Sequence, residues 1–445
     1  MRAFVFFKEV DMQVLLTLAL IFSQASSGML YFARQVPEDV DIKVDGDLSD
    51  WEWMAPTFCT KDEFTYCSST EDDFDVTAWV AWSPGTNMLY HALRVKDDEL
   101  LTLPLEERQR MWRWDDFEIY VDADCSGGDY REPYDSRQAQ QYYLYCLPGG
   151  KGGHLGIFGP EEELGWSLRP PYAEYFVKYE DGVIYYEVGM RLWDWLDVSP
   201  ERSREHILKA GDVIGWKIVI KDRDDTPTPR PWILKEGSVT ALKGSGLIAK
   251  DSWRDAGSFA RLKLLGDGVG GLEVKGGERE IEVVLGSDGE ISRLELEAWR
   301  MREQGRYDEA LEVYKKTLEV WDGMKGKVDG QVWESGRILY LRKIASCYNT
   351  MGDFNSYARS FLRSLDGFDE ISSSSGERYT SGLARLKLAV ECYWKGEFDM
   401  VRSVLKPLED FPPKLRLKAL QILASVDIEQ GKLNPLARDR LRWQR

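Results

Sequence analysis

The spacing of apolar residues changes between residues 266 and 291, and this change constrains the fold more than any other sequence feature. Between Tyr31 and Leu265, short segments alternate apolar and polar residues, which is the period of a β-strand. Beyond Ile291, apolar residues recur about every 3.6 positions, which is the period of an amphipathic helix. The sequence therefore predicts a β-rich half followed by an α-helical half.

Alternating segments in the first half indicate many short strands without long helices between them. The six clearest segments lie at residues 76–82, 89–95, 141–147, 175–179, 183–188 and 216–220. Such a succession is typical of two packed antiparallel sheets. We therefore predict an antiparallel β-sandwich over residues 28–266. Residues 267–290 are rich in glycine and are predicted to form a linker or hairpin.

The second half carries two clear amphipathic faces. One comprises Tyr307, Ala310, Leu311, Tyr314, Leu318 and Trp321, and the other comprises Phe354, Tyr357, Ala358, Phe361, Leu362 and Leu365. Glycines that stand two positions before an apolar residue mark four turns, at Gly305, Gly352, Gly396 and Gly431. Repeated helical hairpins stack so that each buries the apolar face of its neighbour. Residues 291–445 are therefore predicted to form an α-helical repeat domain, an α-solenoid.

The amino terminus resembles a secretory signal. Residues 14–22 are apolar and are followed by small residues at 25–28, which predicts a signal peptide over residues 1–27 and a secreted or periplasmic protein. The apolar run is too short to cross a bilayer, and a buried core segment is the alternative. In an oxidising compartment, one or two disulfides become plausible, with the pairing left open. The candidate cysteines are Cys59, Cys67, Cys125 and Cys146.

Charge and histidine content argue against several classes of function. The formal net charge of −18 disfavours nucleic acid as a partner. Three scattered histidines do not predict a histidine-based metal site, and no cofactor is predicted. Asp122 and Asp124 begin like a calcium loop, but Pro133 stands where that loop needs a bidentate glutamate. These two aspartates are therefore weak candidates for a structural calcium site, with an acidic turn as the alternative.

Residues 111–122 predict a ligand-binding strand. If the segment is extended, Phe117, Ile119 and Val121 point into the core. The opposite, solvent-facing side then carries Trp112, Trp114, Asp116, Glu118 and Tyr120. Indole rings stack on the apolar face of a sugar ring, and carboxylates accept its hydroxyl protons, so this face predicts a carbohydrate site. Alternatively, a loop or the helical half covers the tryptophans.

Four stretches carry a resemblance to a known family. They are VDGDLSDW at 44–51, Leu89-Tyr90 followed by VKDD at 95–98, the segment 112–122, and SWRD at 252–255 leading into RLKL at 261–264. In order and spacing they resemble the family 9 carbohydrate-binding modules of secreted xylanases. The resemblance implies an antiparallel β-sandwich, which agrees with the period-two pattern.

The same resemblance implies a set of binding residues. Trp112 and Trp253 would clamp a sugar at a chain end, while Glu118 and Gln141 would bond its hydroxyl groups. Tyr143 stands where that family has an arginine, so this position offers a hydroxyl and not a fixed cationic fork.

Two further resemblances concern other parts of the chain. The sandwich is also similar to a wider group that includes haem-binding domains, for which Met88 and His91 would be the ligands. The sequence GRYDEAL at 305–311 resembles the inter-helix motif of tetratricopeptide repeats, although the turn spacings of 47, 44 and 35 residues depart from that family's repeat length.

The sequence thus predicts a secreted, non-enzymatic protein that binds an oligo- or polysaccharide and whose helical half presents a surface to a protein partner. A glycoside hydrolase is the enzymatic alternative, and it would need a second carboxylate facing Glu118. Asp116 lies on the same face of the same predicted strand, which favours binding over catalysis. A scaffold that does not bind sugar is the third reading.

Overall fold

In a computed structural model of the chain, the change in apolar spacing coincides with a change from strands to helices, so the fold is a β-rich sheet followed by a helical region. The structure describes residues 29–61, 74–102, 105–106, 114–128, 130, 137–222, 239–241, 255–266, 289–372 and 375–432. The predictions for the signal peptide, for Cys67, Trp112 and Trp253, and for most of the linker 267–290 lie outside these residues.

The predicted strands are confirmed, and several others accompany them. The strands are β1 Leu30–Gln35, β2 Phe74–Ser83, β3 Met88–Asp97, β4 Asp116–Asp122, β5 Gln140–Cys146, β6 Gly153–Ile157, β7 Ala173–Glu180, β8 Val183–Met190, β9 Trp193–Trp195, β10 Arg204–Glu205, β11 Val213–Lys221, β12 Val239–Ala241 and β13 Ala260–Leu265. A short helix, α1 Glu161–Leu164, lies between β6 and β7. The six segments predicted from alternation correspond to β2, β3, β5, β7, β8 and β11.

Most strands belong to one continuous sheet in the order β6-β5-β4-β11-β13-β1-β2-β3-β8-β7, with β12 paired to β11. The two ends of this path approach each other, because Lys151 forms a bridge with Lys178 and the Tyr179 amide donates to the Gly150 carbonyl at 2.9 Å. The sheet is therefore nearly closed. Inward-facing residues from all along the path pack in one apolar core.

The prediction of a purely antiparallel sheet is wrong at β1. This strand pairs in parallel with β13, where Leu30 is opposite Arg261, and in parallel with β2, where Arg34 is opposite Ala81. A parallel neighbour requires a long crossover connection, and residues 36–73 supply one between β1 and β2. The sheet is therefore mixed.

Seven helices form the described helical region. They are α2 Glu290–Glu303, α3 Tyr307–Asp322, α4 Gly330–Thr350, α5 Phe354–Ile371, α6 Ser375–Trp394, α7 Phe398–Val404 and α8 Pro413–Glu429. The predicted apolar faces of α3 and α5 pack in the cores of this region. All four predicted turn glycines have a positive φ, between 70° and 76°, which ends a helix without steric strain.

The helices pack directly against the sheet. The amide of Leu30 in β1 donates to Ser335 Oγ of α4 at 3.0 Å, and Leu30 and Leu265 share an apolar core with α3 and α4. Lys343 of α4 donates to the carbonyl of Pro56 at 3.1 Å. In the part of the chain that the structure describes, no helix combines the length and apolar character needed to cross a membrane.

Candidate functional site

Strand β4 presents two chemically different faces. Phe117, Ile119 and Val121 are buried in the core of the sheet, which confirms the predicted inward face. Because side chains alternate along a strand, Glu118 and Tyr120 point to the other side. There they meet residues of the two neighbouring strands, β5 and β11.

On this outward side, five residues form what we call the Glu118 cluster: Glu118, Tyr120, Gln141, Lys217 and Lys221. The Tyr120 hydroxyl donates to Glu118 Oε2 at 2.5 Å. Gln141 Nε2 donates to the Tyr120 oxygen at 2.7 Å and reaches Glu118 Oε2 at 3.3 Å. Lys221 Nζ forms an ion pair with Glu118. Three strands therefore contribute to one hydrogen-bonded network.

The charges in this network are set by burial and by their partners. Burial alone would raise the pKa of Glu118, but the adjacent Lys221 ammonium outweighs it and lowers the pKa below its usual value. Burial alone would lower the pKa of Lys221, but Asp116, at 3.0 Å, and Glu118 raise it. Glu118 is therefore an ionised hydrogen-bond acceptor at neutral pH.

Lys217 differs from Lys221 because no carboxylate of the described residues forms an ion pair with its ammonium. Its Nζ lies 4.4 Å from the centre of the Tyr120 ring and 5.8 Å from that of Phe259. Among the residues that the structure describes, this Nζ has no hydrogen-bond partner. Burial lowers the pKa of Lys217 to about 7. The cluster thus contains a buried ammonium whose hydrogen-bonding capacity the described residues do not use.

The predicted solvent exposure of this face is wrong. Glu118, Gln141 and Tyr143 are each only 3% exposed. Tyr130 and Phe259, which come from other parts of the chain, pack around Tyr120. A strand-alternation pattern shows which residues share a face, but it does not show which distant segments cover that face.

The predicted site residues are only partly brought together. Glu118 and Tyr143 are directly opposite each other on β4 and β5, and the Tyr143 hydroxyl donates to Glu161 Oε2 at 3.0 Å. Trp114 lies before β4 begins and packs beside Tyr143. The prediction of one extended strand from residue 112 is therefore wrong at residues 114 and 115. Trp112 and Trp253 lie outside the described residues.

Lys217 and Lys221 are functional-site residues that were not predicted. The sequence does contain a signal, because Lys217 and Lys221 interrupt the otherwise apolar strand β11. They are four positions apart, so both lie on the same face of the strand. Their role could not be predicted, because it depends on β11 pairing with β4, so that Lys217 is opposite Tyr120 and Lys221 is opposite Asp116.

Two of the predicted disulfide candidates carry free thiols. Cys125 Sγ donates to the Val213 carbonyl at 3.1 Å, and Cys146 Sγ donates to the Gly152 carbonyl at 3.6 Å. Burial raises the pKa of both thiols to about 11, so neither is a reactive thiolate at neutral pH. Cys59 is buried, and Cys67 lies outside the described residues.

The carboxylates of the predicted calcium loop bond within their own turn. Asp122 Oδ2 accepts from the Gly127 amide at 2.8 Å, and Asp124 Oδ1 accepts from the Ser126 amide at 3.1 Å. Arg204 lies 3.6 Å from Asp124. The pKa of Asp122 is raised to about 6, mainly because the carboxyl group is buried. These contacts are those of an acidic turn.

A different group of carboxylates has the spacing of metal ligands. One oxygen from each of Asp97, Asp115 and Asp222 lies within 4.8 Å of the others, and all three residues are buried. Carboxylate oxygens are ligands for calcium and magnesium, so these residues could hold a divalent cation. Each stands at or beside a strand end, at β3, β4 and β11, but the sequence alone does not show that these ends meet.

The two residues that the haem-binding alternative would need, Met88 and His91, lie on opposite sides of the sheet. His91 is in the main core, where its Nε2 accepts from Trp216 Nε1 at 2.9 Å and burial lowers its pKa to about 3. Met88 belongs to a separate apolar cluster on the outer face of β3. Positions three apart on a strand face opposite ways, so this pair cannot bind one haem iron.

Comparisons with known proteins give little further information. No protein-family model matches this chain, and no curated protein matches it in sequence. A solved structure from Bacteroides uniformis, named a "putative carbohydrate-binding protein", aligns with 54% of this chain and 100% of its own, at 12% identity and a TM-score of 0.30. A likeness of this size carries no argument about fold or ligand. The resemblances to family 9 modules and to tetratricopeptide repeats therefore stay predictions.

Proposed function

We propose that this protein binds carbohydrate through the Glu118 cluster, with Trp112 and Trp253 as an aromatic clamp. The observation that carries the proposal is the meeting of Glu118, Gln141 and an unsatisfied Lys217 ammonium on the outward face of three adjacent strands. These groups can both accept and donate hydrogen bonds, as recognition of several neighbouring hydroxyl groups requires.

Burial strengthens this chemistry. Hydrogen bonds to ionised groups are the stronger ones, and water competes with them less where the local dielectric is low. Glu118 would accept a sugar hydroxyl proton, and Lys217 would donate to a hydroxyl oxygen. Tyr143 would add a hydroxyl group at the edge of the site if it exchanged its hydrogen bond to Glu161 for one to the sugar. Stacking on the indole rings would supply the apolar part of the affinity.

The charge state of Glu118 supports binding without turnover. A glycosidase general acid needs a raised pKa, so that it carries a proton at neutral pH. Lys221 lowers the pKa of Glu118, and Asp116 contacts the same lysine. Glu118 therefore does not have the surroundings of a proton donor. We propose a binding protein and not a glycoside hydrolase.

The remaining parts of the proposal concern location, partners and metal. Residues 1–27 would direct secretion to the periplasm or the cell exterior, and the helical region would present a surface to a protein partner. A structural calcium ion at Asp122 and Asp124 stays a hypothesis. A calcium-dependent rise in the melting temperature of the full chain, lost in Asp122→Asn, would support it.

The central test is a titration of the full chain with neutral oligosaccharides, followed by tryptophan fluorescence and calorimetry. Glu118→Gln removes the charged acceptor, so we expect affinity to fall by about tenfold. Glu309→Gln, on the exposed surface of α3, is the matched control and should bind like wild type. Trp112→Ala and Trp253→Ala should each weaken binding as well.

Three outcomes would contradict the proposal. The first is a wild-type protein that binds none of the oligosaccharides tested. The second is a Glu118→Gln variant that is folded and binds like wild type. The third is release of reducing sugar by wild type that is abolished in Glu118→Gln, which would identify an enzyme.

A further inference from the structure

A ligand-sized cleft lies on the outer face of β2, β3 and β8, and none of its lining residues belongs to the Glu118 cluster. It consists of two adjoining cavities of about 540 Å³ and 530 Å³, and both are lined by Arg94 and Tyr185. We call the combined cleft the α2 groove, because helix α2 forms one wall. Each cavity is within the usual range for ligand sites.

The floor of the α2 groove follows from the strand register. Thr77, Arg94 and Tyr185 lie opposite one another across the three strands and form the central row. Trp79 lies in the row on one side, and Lys96 in the row on the other. Rows of same-face residues are about 6.6 Å apart, so three rows extend about 13 Å along the strands.

One wall is an aromatic corner between the sheet and α2. The rings of Trp79 and Trp299 meet edge to face, with their centres 6.1 Å apart. The Arg94 guanidinium lies 5.9 Å from the centre of the Trp299 ring and donates to both oxygens of Glu303, at 3.0 and 3.3 Å. Arg94 is thus held in place by a ring and a carboxylate.

A second part of the lining is held by a buried glutamate. Glu187 of β8 accepts from Trp51 Nε1 at 2.8 Å and from the Gly46 amide at 2.9 Å. These bonds fix the turn Leu48–Trp51, which lines the cleft, against the sheet. Both parts of the lining are therefore held in place without a ligand, which reduces the entropy lost on binding.

The charge of the lining limits the ligand. Seven carboxylate residues line the α2 groove against three cationic ones. An acidic groove repels nucleic acid and polysaccharides of uronic acids. Partly exposed indole and phenol rings, flanked by planar hydrogen-bonding groups, suit a neutral ligand with both apolar and hydroxyl faces.

The position of the floor argues against an extended peptide. A peptide that adds to a sheet needs an edge strand with unpaired backbone groups. Strands β2, β3 and β8 are interior strands, each paired on both sides. A ligand in the α2 groove can therefore contact only side chains of the floor, and these side chains are rings and polar groups.

We propose that the α2 groove binds a neutral glycan chain along its length, as a second saccharide site. It shares its ligand class with the proposed function but depends on different residues, Trp299 and Arg94 in place of Glu118. Either site can therefore fail without the other.

The test uses the full chain with cellohexaose, xylohexaose and mannohexaose as neutral probes and polygalacturonate as the acidic probe. Binding is measured by calorimetry and by retardation in glycan-containing gels. Trp299→Ala should weaken binding of at least one neutral probe by about tenfold. Trp394→Ala, which removes a tryptophan that is 79% exposed on α6, is the matched control and should change nothing.

Because Trp299→Ala could disturb the packing of α2, Arg94→Gln provides a second variant that keeps both tryptophans. It should also weaken binding of the neutral probe, with an unchanged melting temperature. Binding to the groove should persist in Glu118→Gln.

The proposal is overturned if none of the neutral probes binds to wild type, or if Trp299→Ala and Arg94→Gln, both folded, bind the probes like wild type. It is also overturned if Glu118→Gln abolishes all binding, or if polygalacturonate binds the groove more tightly than the neutral probes. Loss of binding in the groove variants alone would support this site and leave the Glu118 cluster without a ligand.

Discussion

At the scale of single residues, Lys217 is a side chain whose protonated form is destabilised by burial in the folded protein. It is fully buried between the rings of Tyr120 and Phe259, and burial lowers its pKa from 10.5 to about 7. Between these two pH values, the unfolded chain binds a proton that the folded chain does not bind. The contribution of Lys217 to the free energy of unfolding therefore increases as pH rises from about 7 towards 10.5.

We predict that Lys217→Met stabilises the protein at neutral pH, because methionine fills a similar volume without a charge to desolvate. The expected gain is on the order of 1.4 kcal/mol for each unit by which the pKa is lowered, so a few kcal/mol in total. The gain over wild type should shrink as pH rises towards 10.5. Urea unfolding across this range measures it.

The exposed Lys209 provides a control, since Lys209→Met should leave the free energy of unfolding nearly unchanged at every pH. A Lys217→Met variant that is less stable than wild type at neutral pH would show that the ammonium has a stabilising partner. If Lys217 also contacts sugar, the same variant should bind more weakly although it is more stable. That combination is typical of functional polar groups in buried sites.

At the scale of elements, local sequence patterns predicted which face of a strand is buried. They did not predict which other strands or segments pack against it. Alternation in β4 correctly assigned Phe117 and Ile119 to the core, because the period of a strand depends only on neighbouring residues. The parallel position of β1 could not be predicted, because it depends on pairing between Leu30 and Arg261, which are far apart in the sequence. The burial of Glu118 was missed for the same reason.

A buried charge cluster joins three elements across the boundary between sheet and helices. Glu295 of α2 forms ion pairs with Arg34 of β1 and, at 3.2 Å, with Lys343 of α4. Burial alone would raise the pKa of Glu295, but the two cations outweigh it and lower the pKa. The stabilisation is therefore present above the ordinary pKa of 4.5 and is lost as pH falls below it.

We predict that Glu295→Gln destabilises the chain by about 3–5 kcal/mol, because it removes the buried carboxylate charge that pairs with two buried cations. Chemical denaturation at neutral pH measures the change. Glu309→Gln breaks an exposed ion pair with Arg306 on α3 and should leave stability nearly unchanged. Equal effects of the two substitutions would contradict the assignment. Glu295→Gln should also be less sensitive to acid than wild type.

At the scale of the whole molecule, the sheet and the helices form a single packing unit. Leu30 and Leu265 of the sheet lie in the core of α3 and α4, while Ile338 and Phe368 of the helices lie in the core of the sheet. Unfolding the helices alone would expose these sheet residues and would leave Arg34 without Glu295. Local unfolding of the helical region is therefore opposed by contacts on both sides of the boundary.

We therefore predict one cooperative unfolding transition for the full chain. Far-UV circular dichroism, which follows the helices, and fluorescence of the sheet tryptophans should change at the same temperature. Glu295→Gln should lower both midpoints together, because its partners Arg34 and Lys343 belong to different halves. Loss of the helical signal at a lower temperature, with the fluorescence of the sheet unchanged, would show that the halves are independent domains joined by a linker.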